Sequence, residues 1–404
     1  MKKVILCGEL FDSVSTTVRK DMAIVVDGNK IVEVAPAAAV DKTGCEVTDL
    51  TGKFVMPGLI DTHVHVYFDG LVNGFAPFPN QQHGEILLDA MLRAQRDLLA
   101  GFTSLRDCGC GNFGTDISLR NYINAGKIHG PRLCISGAMI VTGAMQNTYT
   151  AGAYTCNGPE EVRAAARDTL GKGCDQVKLM VTIGVLSNGN SLGACVMTYD
   201  ECKAACDTAR SYGAITSAHA HGVEGIQNAV RAGITSIEHA ILLDEPTADM
   251  MAEAGTYLVP TLVSGLKTLQ LADELPAHVL EKERFASELH KKAIGMAYRK
   301  GVKLAFGTDC GTPGSRHGEQ ADEFRLMVEA GVPVEQTLLS ATRNAAEMMQ
   351  WGDRVGTIEA GKLADIVAFD VSPFEDIDTM KNCTFVMKDG TTYKGPNAVT
   401  LTLG

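Results

Sequence analysis

The sequence has few aromatic side chains and no long uncharged apolar run. Aromatic residues make up 6% of the 404 residues, and there is one tryptophan. No window approaches the roughly 18 apolar residues that a membrane-spanning helix requires. The apolar run near the N-terminus is brief and is followed at once by Glu9 and Asp12, which argues against a signal peptide. We therefore expect a cytoplasmic protein without a membrane partner.

Basic clusters and Cys-x-x-Cys motifs are also absent. The formal net charge is −12, and this acidic balance disfavours nucleic acids and anionic membrane surfaces as partners. The 12 cysteines are scattered without a Cys-x-x-Cys pair, which indicates reduced thiols rather than a disulfide framework. Because 45% of the residues are hydrophobic, the chain can bury one large core and a smaller one.

Both ends of the chain are rich in short β segments, which are bounded by turn signals such as Asp27-Gly28-Asn29. We expect the two ends to pair into one small discontinuous β-sandwich, formed by residues 1–56 together with residues 356–404. The middle domain would then be residues 57–355. The predicted strands of the two ends are 3–6, 23–26, 30–34, 45–50, 365–370, 383–387 and 391–393.

The middle of the chain alternates between β segments and helical stretches. Alternating βα units of this length predict an α/β protein with a parallel sheet, and eight of them predict a closed (β/α)8 TIM barrel. An open doubly wound sheet is the alternative. The predicted strands lie at 59–65, 103–106, 133–136, 176–181, 215–218, 235–237, 257–263 and 302–306.

Metal-binding side chains gather at the carboxyl ends of these predicted strands, where the active sites of barrels form. Strand one ends in His63-Val64-His65, and residues two apart on a strand project to the same face. Each such residue alone has an ordinary structural explanation. Their convergence from five strand ends on one barrel mouth predicts a metal site. The other members are Lys178, His219, His221, His239 and Asp309.

Two divalent ions suit this set of side chains. A pair of ions about 3.5–4 Å apart can share a hydroxide and polarise a carbonyl group. His63 and His65 suit one ion, and His219 and His239 suit the other, because neutral imidazole is a common metal ligand. Asp309 is placed both to bind metal and to accept the proton of the hydroxide.

Lys178 lies inside an apolar strand, and its role needs separate reasoning. An ammonium group only donates hydrogen bonds and repels cations. A buried lysine at this position is expected to lose its proton, and it needs a further modification before it can bridge two metal ions. A strand lysine that reaches solvent is the structural alternative.

The motifs that begin and end the barrel resemble those of the amidohydrolase superfamily. Pro57–His65 is similar to its opening motif, Gly307–Asp309 to its closing metal motif, and Gly356–Val367 to the return into its β-sandwich. The resemblance covers nearly the whole chain. It implies a binuclear metal centre, usually of zinc, in which carbon dioxide carboxylates the side chain of Lys178 to form the bridge.

Within the superfamily the chain resembles the metal-dependent dipeptidase group, which includes prolidase-like, arginine-carboxypeptidase-like and ochratoxin-amidase-like enzymes. Ser217–Gly222 and Glu238–Ala240 carry this resemblance. It implies that His219 binds metal, that His221 contacts the substrate carbonyl, and that the protein is a homo-oligomer. These relatives commonly have Thr-Gly-Gly-His after strand three, where residues 142–145 read Thr-Gly-Ala-Met. Substrate recognition is therefore expected to differ on that side.

The sequence thus predicts a metal-dependent hydrolase that cleaves the amide bond of a small-molecule substrate, either a dipeptide or an N-acyl amino acid. In this hypothesis a metal-bridging hydroxide attacks the carbonyl, His221 stabilises the oxyanion, and Asp309 carries the proton to the leaving amine. Three alternatives stay open. They are a cyclic-amide hydrolase or deaminase similar to hydantoinase or imidazolonepropionase, a lactonase or phosphotriesterase, and a metal-binding protein without turnover.

Three loops are expected to shape the substrate pocket, at residues 138–157, 183–198 and 264–283. Polar residues near the predicted metal site are candidate contacts for the carboxylate or amide group of the substrate. The alternative for each of them is an ordinary loop residue that does not contact the substrate. These candidates are Tyr149, Tyr154, Arg316 and His317.

Overall fold

The computed structural model describes residues 1–71, 82–109, 114–145, 152–187 and 191–401. The β-strands are β1 (Lys3–Leu10), β2 (Arg19–Asp27), β3 (Lys30–Pro36), β4 (Glu46–Pro57), β5 (Leu59–Val64), β6 (Phe102–Asp107), β7 (Arg132–Ile135), β8 (Met139–Val141), β9 (Ala153–Thr155), β10 (Gln176–Met180), β11 (Ile215–Ala220), β12 (Ser236–His239), β13 (Tyr257–Val259), β14 (Ile366–Phe369), β15 (Cys383–Lys388) and β16 (Thr391–Lys394).

The α-helices lie between the strands of the middle region and after the last of them. They are α1 (His83–Leu99), α2 (Thr115–Asn124), α3 (Pro159–Gly171), α4 (Tyr199–Ser211), α5 (Val223–Ala232), α6 (Glu245–Ala254), α7 (Leu262–Gln270), α8 (Ala277–Arg299), α9 (Asp322–Glu329), α10 (Val334–Ser340) and α11 (Arg343–Met348).

Strands from both ends of the chain form one seven-stranded sheet. Its order is β16-β15-β14-β4-β1-β2-β3, so β14 from the C-terminal region lies directly beside β4 from the N-terminal region. Ile366 pairs with Pro57 in that antiparallel ladder. One buried cluster contains both Ile24 of β2 and Phe385 of β15. The two ends therefore form one structure, while the exact domain boundaries stay predictions.

The middle of the chain is the predicted (β/α)8 barrel. Its parallel strands form two ladders, β5-β6-β7 and β8-β10-β11-β12-β13, the second of which also carries β9 at its edge. The segment 304–310 closes the ring between β13 and β5. The amide of Ala305 donates to the carbonyl of Leu258 (3.0 Å), and that of Asp309 donates to His63 (2.7 Å).

The eighth strand is less regular than the sequence predicts. Residues 302–306 pair with β13 through one bridge, Leu304 with Leu258, and the chain then turns at Asp309, whose φ is +59°. Phe306 anchors the segment, since its ring lies 4.3 Å from that of Phe324 and 5.8 Å from that of Phe102. This irregular end places Asp309 at the barrel mouth.

The helices pack their apolar faces on the barrel and end where the chain turns into the next strand. Gly233 and Gly255 occupy the positions after α5 and α6 with φ of 90° and 70°, a left-handed conformation that other residues adopt at a cost. In the described part of the chain no helix is long and apolar enough to cross a membrane.

Two helices cover one side of the barrel mouth. The sequence predicted a partly helical insertion after strand seven, and the structure shows α7 followed by the 23-residue α8. Val279 and Ala286 of α8 pack with Val185 and Ile241, which lie in loops after β10 and β12. The insertion is thereby fixed against the loops that surround the mouth.

Candidate functional site

His63, His65 and Asp309 meet at the closure of the barrel. The Nε2 atoms of His63 and His65 lie 3.3 Å and 3.2 Å from Oδ1 of Asp309. The ligand atoms of all three residues lie within 4.8 Å of one another. Asp61 fixes this junction, because its carboxylate accepts hydrogen bonds from the amide of His63 (3.0 Å) and the hydroxyl of Thr308 (2.6 Å).

Hydrogen bonds at Nδ1 orient the first two histidine rings. The Nδ1 atom of His63 lies 2.8 Å from Oε2 of Glu238, and that of His65 lies 2.8 Å from the carbonyl of Gly109. Carboxylate and carbonyl oxygens only accept hydrogen bonds here, so both rings carry the proton on Nδ1. Each ring therefore presents the lone pair of Nε2 to Asp309.

His239 is oriented by the same principle. Its Nδ1 lies 2.7 Å from the hydroxyl of Thr261, and that hydroxyl donates to the carbonyl of Pro260 (2.7 Å). The hydroxyl therefore accepts from His239. The ring of His239 lies 5.0 Å from that of His63 and 4.6 Å from that of His219, measured between centroids.

Lys178 lies at the base of this histidine cluster. Its side chain is buried with 1% exposure, and within the described residues its Nζ has no hydrogen-bond partner. The Nε2 atoms of His63 and His219 are also buried without one. Buried polar atoms of folded proteins are almost always paired, so three converging unpaired nitrogens fit a site built for a bound group such as metal ions.

Burial keeps the histidines of this cluster neutral. It lowers the pKa of His63 to about 4 and that of His221 to about 3. Burial also brings the pKa of His219 and His239 well below the usual range. Neutral imidazole is the form that binds metal ions, so the donor set suits divalent metal ions near pH 7.

Asp309 is held as a carboxylate. Burial raises its pKa, but the neighbouring His63, His65 and Lys178 more than offset this effect, so its pKa is lowered overall. Its second oxygen, Oδ2, accepts from the hydroxyl of Ser264 (3.2 Å). Asp309 therefore offers one oxygen to the histidine pair and the other to the open side of the cleft.

A cleft opens over the cluster and is bordered by all three loops that the sequence singled out. Its lining contains both apolar side chains and hydroxyl groups. The residues that line the cleft beyond the histidines include Met139, Met180, Val185, Leu186, Ile241, Ser264, Gly265, Thr268, Glu283, His290 and Thr312.

The family model of the amidohydrolase family matches residues 54–394. The chain belongs to the amidohydrolase family. It is 29% identical over 414 residues to ochratoxinase of Aspergillus niger, with 93% of this chain and 84% of that protein covered. It is 24% identical over 376 residues to imidazolonepropionase of Hyphomonas neptunium, with 83% of each covered. A crystal structure of a Xaa-Pro dipeptidase with bound methionine matches with a TM-score of 0.91 and 35% identity, covering 98% of this chain and 100% of that one.

These matches confirm the resemblance that the sequence motifs predicted. They make the protein a hydrolase that acts on amide bonds. They also confirm the barrel fold. The alternative of a metal-binding protein without turnover is thereby excluded.

The structure brings the predicted metal ligands of this amidohydrolase to one cleft together with His221, but not the other predicted substrate contacts. Tyr154 bonds to Asp168 and Lys172 on the surface, and Arg316 is exposed. His317 is buried, with Nδ1 2.7 Å from Asp97 and Nε2 3.2 Å from the carbonyl of His65. None of these three candidates lines the cleft.

Two further positions that the sequence singled out have different outcomes. Tyr149 lies outside the described residues. Met145, which stands where the dipeptidase relatives have a histidine, is buried against Met139 and Met180. Both of these neighbours line the cleft, so that side of the amidohydrolase site is apolar.

Sequence reasoning missed the buried residues that orient His63 in this amidohydrolase, namely Glu238, which contacts His63, and Arg106, which contacts Glu238. Glu238 and Arg106 are fully buried, and Nη2 of Arg106 donates to both carboxylate oxygens of Glu238 (2.8 and 2.9 Å). An arginine inside the apolar strand Phe102–Asp107 was a signal that could have found the pair, because a buried arginine needs an anionic partner.

Glu283 and His290 were missed for a different reason. They lie on α8, where the buried residues recur at 279, 283, 286, 290 and 293. This spacing is the apolar stripe of an amphipathic helix. The signal that could have found them is that polar residues occupy positions of this apolar stripe, which indicates buried polar side chains.

Proposed function

We propose that this amidohydrolase uses two divalent metal ions to hydrolyse the amide bond of a dipeptide or an N-acyl amino acid. The main support is the convergence of oriented neutral histidines, one carboxylate and an unpaired lysine on a single cleft. The likeness to a Xaa-Pro dipeptidase supports a substrate in which the scissile bond joins an acyl group to an amino acid.

The proposed metal ligands divide between the two sides of the barrel. His63, His65 and Asp309 would hold one ion, and His219 and His239 would hold the other. The ions, when bound, would polarise the scissile carbonyl and activate water as a nucleophile. Zinc is the metal that the family resemblance predicts.

Lys178 is proposed to act as the bridge after carboxylation. Its Nζ lies unpaired at the base of the cluster, where a neutral amine could combine with carbon dioxide. The product is a carbamate, and one proton is released. This modification turns a donor into an anionic acceptor with two oxygens, which is the chemistry that two neighbouring cations require.

Asp309 and His221 are proposed to handle the proton and the developing charge. Asp309 is ionised and its Oδ2 faces the open cleft beside Ser264, so it can take a proton from the attacking water and deliver it to the leaving amine. His221 is neutral, and a ring N–H can donate to the carbonyl oxygen as negative charge develops there. Within the described residues its Nδ1 has no hydrogen-bond partner.

Replacement of Asp309 by asparagine tests this division of labour. The variant is expected to lose about 10²–10⁴-fold in kcat, because the amide cannot accept the proton, while elemental analysis still finds bound metal. Substrates would be a library of dipeptides and N-acyl amino acids. Asp273→Asn, which changes an exposed aspartate between α7 and α8, is the control. Near-normal turnover in Asp309→Asn would refute the proton-transfer role.

Cyclic-amide hydrolysis or deamination is the second candidate function. The match to imidazolonepropionase over 83% of both chains favours it, since that protein by its name acts on a ring. The apolar side of the cleft, where Met139 and Met180 pack with Met145, is also compatible with a flat heterocycle. Hydrolysis of hydantoins, lactams or aminated heterocycles, with no cleavage in the dipeptide library, would select this candidate.

The assembly of the protein is proposed from the same resemblance. A homo-oligomer is expected, with a small-molecule substrate and no nucleic-acid partner. Light scattering on the purified protein measures the oligomeric state directly. A mass equal to one chain of 42.9 kDa would contradict this expectation.

A further inference from the structure

Glu283 is a buried carboxylate in the cleft that the proposed mechanism does not use. It lines the cleft together with Asp309, and these are the two carboxylates among its described lining residues. Its residue is 6% exposed. In the described part of the chain no residue forms a hydrogen bond or ion pair with it. An unpaired acid in this position calls for a partner.

Apolar residues flank Glu283 on the buried stripe of α8. Its neighbours on the buried stripe of α8 are Val279 and Ala286, which pack against Val185 and Ile241. Burial, and then the charge of Asp309, raise the pKa of Glu283 to about 7. A carboxylate placed against apolar groups is costly unless a cation or a donor pairs with it.

Glu283 lies close to the reacting centre rather than at the outer rim. A methyl group added at Gly265 would lie 2.4 Å from Oε1 of Glu283. The preceding residue, Ser264, donates to Oδ2 of Asp309 at 3.2 Å. The carboxylates of Glu283 and Asp309 therefore contact adjacent residues of α7, and a ligand group between them would be near the scissile bond.

We propose that Glu283 binds the protonated α-amino group of the N-terminal residue of a dipeptide. In a dipeptide that ammonium is attached to the carbon next to the scissile carbonyl, which matches the position of Glu283 near Asp309. This inference rests on the proposed function and narrows it, since an N-acyl amino acid has no such cation. Lys178 is the only lysine or arginine in the described lining. Because the proposed function makes it a carbamate, no basic side chain of that lining competes for the carboxylate of Glu283.

A matched pair of substrates tests the assignment. Alanyl-leucine and N-propionyl-leucine differ only in the α-amino group. Wild-type protein is expected to prefer alanyl-leucine in kcat/KM, and Glu283→Gln is expected to lower that value by about ten- to a hundredfold, the usual worth of a charge-assisted hydrogen bond. The value for N-propionyl-leucine should change by less than about threefold. Glu281→Gln, exposed on the same helix, is the control.

A second variant covers the case in which Glu283→Gln does not fold. Gly265→Ala keeps the charge of Glu283 and introduces a methyl group that its carboxylate must move away from. It is expected to reduce the preference for alanyl-leucine in the same direction. An equal fall for both substrates, or no change for either, would overturn the assignment.

A substrate with a basic side chain tests whether Glu283 binds the α-amino group or a side-chain ammonium. If Glu283→Gln impairs N-propionyl-lysine but spares alanyl-leucine, the carboxylate serves a side-chain ammonium and the α-amino assignment is wrong. Calorimetry with a phosphinic analogue of alanyl-leucine and its des-amino counterpart measures recognition without turnover. Tighter binding of the amino form, lost in Glu283→Gln, supports the inference even if wild-type protein cleaves no dipeptide. Equal binding of the two analogues overturns it.

Discussion

Replacement of Glu238 by glutamine tests how the barrel interior controls the proposed metal ligands. Glu238 contacts both a proposed metal ligand and a buried arginine. Its Oε2 lies 2.8 Å from Nδ1 of His63, and both of its oxygens accept from Nη2 of Arg106. Arg106 also donates to the carbonyl of Thr62 (2.5 Å) and the hydroxyl of Ser236 (2.9 Å). The pair therefore joins the strands that carry His63 and His239.

The glutamine variant should show two separate losses. Arg106 has 0% exposure, and a buried ion pair that loses one partner costs about 3–5 kcal/mol of stability. His63 would lose its anionic acceptor, because the amide of glutamine has one accepting oxygen, which Arg106 also requires. Loss of such a supporting carboxylate typically lowers metal affinity about 10–100-fold.

A double variant separates these two effects. Arg106→Met together with Glu238→Gln removes the unpaired charge, so the free energy of unfolding of the metal-free protein should recover most of the loss. Metal affinity, measured by competition with a chelator, should stay low, because His63 still lacks its carboxylate. The reasoning is refuted if Glu238→Gln binds metal normally, or if metal affinity recovers together with stability in the double variant.

Three further changes follow from the structure. Lys178→Ala should lower the metal content measured by elemental analysis, and a short-chain carboxylic acid should restore part of it by replacing the carbamate. Gly184→Ala should also lower the metal content, because the added methyl would lie 2.9 Å from Nε2 of His219. Burial raises the pKa of Asp389, but the positive charges of Arg132 and then Lys388 lower it by a larger amount. The pKa of Asp389 in the folded protein is therefore below the unfolded value of 3.8. Its stabilisation is present above pH 3.8 and is lost as the pH falls through the folded pKa, and Asp389→Asn should flatten that acid loss in chemical denaturation.

Each of these predictions has a control or a contrary result. Lys178→Ala with unchanged metal content would show that the lysine is not a bridge. Gly171→Ala adds a methyl with nothing within 4 Å and should leave the metal content unchanged. For the acid series, Asp376→Asn alters another carboxylate of the C-terminal region, and an identical flattening there would show that Asp389 is not responsible.

The barrel was predictable because its signals are local. Short apolar runs such as Tyr257–Val259 and the helix-ending glycines recur at short spacing, and each βα unit can be identified within its own residues. The eighth strand was harder, since 302–306 is held by a bridge at Leu304 and by side-chain packing rather than by a long ladder. The division of the insertion into α7 and α8 depends on what each helix packs against.

The meeting of the proposed metal ligands in one cleft was predictable for the same reason, and the rest of the site was not. His63 and His219 lie in regular strands, so the strand sets the direction of each side chain. His317 is close to Asp309 in sequence, but the chain turns back in between, with the amide of Gly311 donating to Ser315 (2.8 Å). Glu238 and Glu283 acquire their environments from distant segments, which no local pattern reveals.

The strand β4 has a consequence for synthesis of the protein. β4 runs into β5 through Gly58 alone, and its antiparallel neighbour β14 emerges from the ribosome only after the whole barrel. One edge of β4 therefore stays unpaired during translation of everything between them. Unpaired strand edges promote aggregation, so soluble yield should depend on elongation rate and on chaperones that protect the nascent N-terminal strands. The last proposed metal ligand, Asp309, precedes β14 in the chain, so the metal site can be completed before this edge is covered.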